Sequence, residues 1–250
     1  FGIDTAVFNN TLTGVYTSQV DHFSITRSLF NVLPSGQAPD HLGGIYVDGN
    51  AFGFQIEENH FTGNYIPGPF GGPLHIGITF NQTGPFANEL YNNTFEQLNI
   101  ATLSMNQNRD QLGTVGLCIK CNNYVGNEYD IVAAYDDQQY AWGGIATHQG
   151  SAAASPDAPS GNRFSWANNP NTPYSDIYNQ GGRIFYYYHA VEDQTLSLQP
   201  KYYIGVTPVP GNPLAIWDPE LSCPSNLSPP GGGHNKEELK SMMAEAEQEA

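Results

Sequence analysis

One eight-residue pattern returns four times along this chain, and it limits the possible folds more than any other feature. Its form is apolar-x-apolar-x-x-Asn/Ser-x-aromatic. It occurs at residues 23–30, with Phe23, Ile25, Ser28 and Phe30, and at residues 54–61, with Phe54, Ile56, Asn59 and Phe61. A copy with a polar first position runs from Asn88 through Leu90 and Asn93 to Phe95. The last runs from Leu117 through Ile119 and Asn122 to Tyr124. The closing aromatics stand 31, 34 and 29 residues apart. A repeat of that period signals stacked structural units, each too small to bury its own apolar face.

Within each copy the first two apolar positions are two residues apart, so on a strand they share a face. The following three-residue step breaks the alternation and demands a bend, which falls on Ser28, Asn59, Asn93 and Asn122. Beyond it the aromatic returns to the same interior. The expected core is therefore Ile25, Phe30, Ile56, Phe61, Leu90, Phe95, Ile119 and Tyr124. Equivalent residues of stacked units lie about 4.8 Å apart, so the bend residues are expected to hydrogen-bond from unit to unit as a ladder. Residues 98–103 and 129–133 read as a third strand of the unit. Residues 44–47 and 76–80 read as strands entering the next one. Strand, bend, strand and further strand is the path of one coil of a parallel β-helix.

Composition agrees with a turn-rich β protein. Charged residues make up 13% of the chain, while 24 Asn and 27 Gly supply polarity and left-handed turns. The net charge of −16 repels phosphate backbones, so nucleic acid is not an expected partner. No apolar run approaches the roughly 20 residues of a membrane span. The chain begins at Phe1 without a Met or a signal segment, and it reads as a mature piece of a larger secreted chain.

Residues 1–20 read as part of a preceding coil whose beginning is missing, and residues 15–135 as the regular repeats. A degraded coil and cap follow to about residue 225. There Gly161-Asn162-Arg163-Phe164 repeats the end of the frame, and Asp176-Ile177-Tyr178 resembles Asp130-Ile131. Residues 143–147 read as a strand, and residues 183–189 and 202–206 as strands closing the stack. Residues 226–234 are a Pro/Gly linker. Residues 235–250 form an amphipathic helix, opened by Asn235 with Glu238 three residues on and striped by Leu239, Met242, Met243 and Ala246. It reads as the start of a further module, able to dock to a partner.

Gly116-Leu117-Cys118-Ile119-Lys120-Cys121-Asn122 followed by Asp130-Ile131, the block Gly144-Ile145-Ala146 with Gln149-Gly150, and Tyr187-Tyr188-His189 together resemble a family: the secreted parallel β-helix repeat proteins of Bacteroidota, surface proteins associated with type IX secretion. The resemblance covers about residues 15–225. It implies an all-β fold, a right-handed parallel β-helix with irregular loops and a C-terminal β cap, followed by the linker and a short α-helix. It also implies a secreted or cell-surface location. It brings no catalytic motif.

Candidate chemistry is sparse. Cys118-x-x-Cys121 lacks the second ligand pair of a zinc site and the helix N-terminus of a redox motif, so a structural role is expected. A disulfide from Cys223 to either of the others stays open. His22, His60 and His75 fall near equivalent bends where a column could form, but dispersed surface residues are the plainer reading and no metal is expected. A lyase would need Arg or Lys near acidic groups holding calcium. The candidates are Arg27, Lys120 and Arg163, with Asp48, Glu57, Glu58, Asp136 and Asp137. Glu57/Glu58 and Asp136/Asp137 are sequence neighbours, so on a strand they would point opposite ways. The Tyr186–Tyr188 run could stack on sugars but, as part of a cap, reads as half core; Trp142 and Trp166, near loops, are the better sugar-contact candidates. Asp4-Thr5-Ala6 matches a short O-glycosylation signal, placing a glycan on Thr5.

These features favour a non-catalytic extracellular stalk or adhesin that presents loops to glycans or other cell-surface proteins, with no cofactor. The alternatives are a polysaccharide lyase or glycoside hydrolase, for which calcium would be the cofactor in the lyase case, and a subunit or cargo of a surface secretion or motility assembly. An acidic cluster beside Arg or Lys on one sheet face would favour the enzyme.

Overall fold

The computed structural model describes residues 1–33, 43–64, 74–134, 143–165, 175–190 and 196–227. The chain travels in circuits of three short strands. The first circuit is β1 (Gly2–Asp4), β2 (Val7–Thr11) and β3 (Thr13–Ser18). The second is β4 (Ser24–Thr26), β5 (Leu29–Val32) and β6 (Gly43–Asp48). The third is β7 (Gln55–Glu57), β8 (His60–Thr62) and β9 (Ile76–Asn81). The fourth is β10 (Glu89–Tyr91), β11 (Thr94–Glu96) and β12 (Ile100–Met105), and the fifth β13 (Cys118–Lys120), β14 (Asn123–Val125) and β15 (Tyr129–Ala134). Less regular passages follow, with β16 (His148–Gln149), β17 (Ile177–Asn179), β18 (Ile184–Tyr188), β19 (Tyr203–Ile204), β20 (Val206–Pro210) and a one-turn helix α1 (Pro219–Ser222).

First strands pair only with first strands, in the order β1-β4-β7-β10-β13, and second strands with second strands. Third strands build the longest sheet, β3-β6-β9-β12-β15-β17-β19. The fourth sheet is β16-β18-β20. Each pairing between these strands is parallel. The described residues are thus all-β apart from α1, with parallel sheets and, among them, no closed barrel.

The register explains why the repeating frame works. Phe8, Phe30, Phe61, Phe95, Tyr124 and Phe164 stack face to face, with centroids 4.5, 4.7, 4.9, 5.3 and 6.2 Å apart. Ile25, Ile56, Leu90 and Ile119 form a second buried column in register. All eight expected core residues are buried. At the bend, a residue with positive φ precedes the Asn/Ser position in every circuit: Thr5, Arg27, Glu58, Asn92, Cys121 and Gly161. The Asn ladder then runs through the stack. Asn59 Oδ1 accepts from Ser28 N at 3.0 Å, Asn93 Oδ1 from Asn59 N at 3.0 Å and Asn122 Oδ1 from Asn93 N at 2.9 Å. Asn162 extends it, accepting from Asn122 N at 2.9 Å. Each amide Nδ2 also donates to a carbonyl of a neighbouring circuit, so buried polar groups that no water reaches are paired.

The third strands approach the rings through Gly14, Gly44 and Gly77. A β-carbon at Gly77 would lie 2.5 Å from Ala101 O and 2.8 Å from Phe95 Cδ1. Those positions read as glycine because the aromatic stack leaves no room for more.

Four sequence readings change. Residues 1–20 are a whole circuit of three strands, with Ala6 in the ladder's place. Residues 44–47 and 76–80 are not entry strands: β6 and β9 are the third strands of their own circuits, in register with β12. Their circuits contain residues 34–42 and 65–73, which separate second strand from third and disguise the equivalence. The strand expected at 143–147 forms instead at His148–Gln149. The closing strand expected at 183–189 forms as β18, but the one expected at 202–206 splits at Gly205 into β19, which pairs with β17, and β20, which pairs with β18. The helix expected at 235–250 and most of the linker before it lie outside the described residues, as do Asp136, Asp137, Trp142 and Trp166.

Candidate functional site

The side chains with the most chemistry converge on the outer face of the first sheet. Inward Ile56, Leu90 and Ile119 alternate with outward neighbours, and parallel register aligns these in two rows. One row carries Ser24, Gln55, Glu89 and Cys118; the other carries Thr26, Glu57, Tyr91 and Lys120. The edge of this sheet continues into the fourth. Ile119 N donates to Gln149 Oε1 at 2.8 Å, Gln149 Nε2 donates to Leu117 O at 3.1 Å, and the Cys118 thiol lies 3.9 Å from His148 O.

His148 opens an aromatic platform. Its ring stacks on Phe185 at 5.3 Å and on Tyr187 at 5.9 Å, and its Nδ1 lies 3.3 Å from Tyr187 Oη. The Arg183 guanidinium sits 4.2 Å over the Phe185 ring. Strand alternation explains the split within the tyrosine run: Tyr186 is buried against Phe164, whereas Tyr187 joins the outer face.

Burial raises the Glu89 carboxyl above the usual carboxylate range, with Glu57 adding to the rise and Lys120 opposing it. Burial also pushes the Cys118 thiol up to about 11, which keeps it protonated and unreactive at neutral pH. Lys120 Nζ donates to Asp157 O at 3.1 Å.

A C-terminal strap covers one end of this face. Asp218 caps α1 by accepting from the N–H groups of Glu220 and Leu221. The helix delivers Cys223 to a disulfide with Cys121, so of the two open pairings this one forms. The chain then crosses the sheet: Tyr91 Oη donates to Pro224 O at 2.8 Å, Ser225 Oγ to the Glu58 carboxylate, and Asn226 N to Glu57 Oε1 at 2.7 Å. Glu57 is left 1% exposed. Glu57 and Glu58 do not diverge as on a regular strand, because Glu58 has φ 56 and turns the chain. Both face the strap.

The remaining sequence candidates disperse. Arg27 pairs with Asp4 at 2.7 Å at the first bend, and the guanidinium holds the Asp4 carboxyl below its usual range. Arg163 neighbours Asn123 beyond the second sheet, and Asp48 belongs to the third, accepting from Tyr16 Oη and Asn81 Nδ2. His22, His60 and His75 form no column: His22 packs edge-on to Phe52, His60 lies 3.4 Å from Glu96, and His75 meets Asn99. They belong to three different sides of the circuit. Among the described residues, no group of three or more His, Cys, Asp or Glu is placed to hold a metal ion. Thr5 is exposed at its bend.

A second carboxylate cluster is internal. Asp130 accepts from Ser165 Oγ, Ser165 N and Asn127 Nδ2, and Asp176 accepts from the N–H groups of Lys201 and Tyr202. Burial raises both carboxyls, that of Asp176 to about 6. This pair fastens the last passages to the fifth circuit and offers nothing to solvent. Among the described residues, no helix is long and apolar enough to cross a membrane.

Of the outer-face platform, Tyr187 lies in the aromatic run that the sequence offers for sugar stacking; His148 and Phe185 were missed because they come from a two-residue strand and from an alternate position before that run. No protein-family model, curated protein or solved structure matches this chain.

Proposed function

We propose that the chain is a stretch of right-handed parallel β-helix from a secreted or cell-surface protein, and that it binds glycans across the outer face of its first and fourth sheets without transforming them. The three-strand circuits with uniformly parallel pairing support the helix, and parallel crossovers are right-handed almost without exception. The observation that carries the binding reading is the exposed-side platform of His148, Phe185 and Tyr187, with Arg183 over one ring. Aromatic faces accept the C–H face of a sugar, while the flanking Glu89 and Lys120 supply directional polar contacts. A net charge of −16 disfavours polyanionic chains and favours neutral ones. The test is affinity electrophoresis and calorimetry against neutral and uronate polysaccharides. Phe185→Ala is expected to lower affinity at least tenfold with an unchanged circular-dichroism spectrum. Unchanged binding, or no binding to any glycan, would overturn the proposal.

One observation favours a second reading, a lyase or glycosidase: Glu89 is held toward its protonated form beside Lys120 on the same face. The strap closes off Glu57, which a two-carboxylate mechanism would need nearby. Incubation with uronate polysaccharides and calcium would reveal lyase action as new absorbance from unsaturated products, and Glu89→Gln would abolish it.

A further inference from the structure

We propose a second, independent binding site at the corner between the third sheet and the next first-sheet strand, built to take an uncharged sugar or polyol. A cleft of about 170 Å³ opens there, lined by Gln19, Gly49, Asn50, Gln82, Gly84 and Gln107. The lining is drawn from four successive circuits. Gln19, Gly49 and Gln82 occupy equivalent left-handed turns, with φ of 54, 69 and 56. Their N–H groups bond to the circuit above: Gln19 N to Asp48 O, Gly49 N to Asn81 O and Gln82 N to Met105 O. Gln19 and Gln82 are therefore carried two circuits apart on hydrogen-bonded turns, with Gly49 between them.

Two glycines keep the cleft open. A β-carbon at Gly49 would lie 2.9 Å from Gln19 Cγ, and one at Gly84 would lie 2.6 Å from Asn50 Oδ1 and 3.0 Å from Phe86 Cε2. Phe86 thus adjoins the polar lining directly. Its ring packs 5.2 Å from Phe52, which is 38% exposed, and His22 packs on Phe52 at 4.6 Å. The corner combines a row of amides with an aromatic wall.

The chemistry selects the ligand. The exposed amides of Gln19 and Asn50 each carry one acceptor oxygen and an NH2 with two donors, while Gln107 Nε2 already donates to Arg109 O at 3.3 Å; such amides match hydroxyl groups that donate and accept at once. None of the six lining residues is charged. The neighbouring Asp48 carboxylate is engaged by Tyr16 Oη and Asn81 Nδ2. An ionic ligand would find no counter-charge here, whereas a neutral pyranose finds amides for its hydroxyls and Phe86 for its C–H face. The volume is below the range of drug-sized pockets, so the site takes one sugar unit, such as a chain end or branch.

Saturation-transfer NMR with glucose, galactose and N-acetylglucosamine, and with glucuronate as the charged control, tests this. At least one neutral sugar is expected to receive saturation, and glucuronate none. The double variant Gln19→Ala with Asn50→Ala changes exposed side chains only and is expected to remove the signal, whereas Phe185→Ala leaves it intact. The cleft assignment fails if no neutral sugar responds, or if the signal survives the double variant. It also fails if Phe185→Ala removes the signal, in which case the sugar sits on the aromatic platform instead.

Discussion

Asn93 carries several bonds at once. Its Oδ1 accepts from Asn59 N and Asn59 Nδ2, and its Nδ2 donates to Ile56 O and Tyr91 O. Truncation to Ala strands buried donors and acceptors on two circuits. The expected loss is about 1–3 kcal/mol, read as a lower denaturant midpoint. Ser28→Ala, near the end of the ladder, removes fewer bonds and should cost less. Equal midpoints for Asn93→Ala and the parent would show that the ladder contributes nothing. Of this column, Asn59, Asn93 and Asn122 were legible because an Asn at a forced bend has few other reasons to recur. Ala6 was invisible, since it joins the ladder only through its backbone N–H, which donates to Ser28 Oγ, and its side chain says nothing.

Among elements, β15 and β17 pair through residues 131–133 and 177–179, and Asp130 and Asp176 lie buried at the start of that pairing. Burial raises both carboxyls, so the folded state holds protons that the unfolded chain, titrating near 3.9, releases. The sign follows directly: stability from Asp176 is fully present below about pH 4 and is lost as pH rises through about 6. Urea midpoints should therefore fall between pH 4 and 7. Repulsion among the other carboxylates gives the same trend, so the variant decides: Asp176→Asn should flatten the slope. A slope as steep as the parent's would remove Asp176 from the account. The Asp-Ile similarity at 130 and 176 revealed that these strands are equivalent, but it did not reveal that their carboxylates face inward. Nor could sequence tell that β6 and β9 match β12, because intervening residues delay them by different lengths. The platform site was legible only through its tyrosine run, for a related reason. Its residues align only after β16 takes its place beside β18, a pairing that no local pattern announces.

Over the whole molecule, one covalent link joins Cys121 to Cys223 across a separation of 102 residues. A loop of that size gives about 4–5 kcal/mol in the chain-entropy account of cross-linking. Cys223→Ser is expected to lower stability by an amount of that order. It should also speed hydrogen exchange at residues 225–227, because the strap keeps its bonds to Tyr91, Glu57 and Glu58 but loses the covalent anchor. Exchange as slow as in the parent would mean that those bonds hold the strap unaided.

The bend residues with positive φ have a wider meaning. Thr5, Arg27, Glu58, Asn92, Cys121 and Gly161 differ in size, charge and reactivity, yet each makes the same turn. Backbone bonds such as Arg27 N to Glu57 O and Asn92 N to Lys120 O fix that turn, so from Thr5 to Cys121 the side chain varies widely, whereas at Gly161 a β-carbon would lie 2.7 Å from Cys223 Sγ. The row is a pegboard with a pitch of about 4.8 Å. Chemistry can be exchanged peg by peg without refolding the board, as Arg27 with its ion pair and Cys121 with its staple already illustrate.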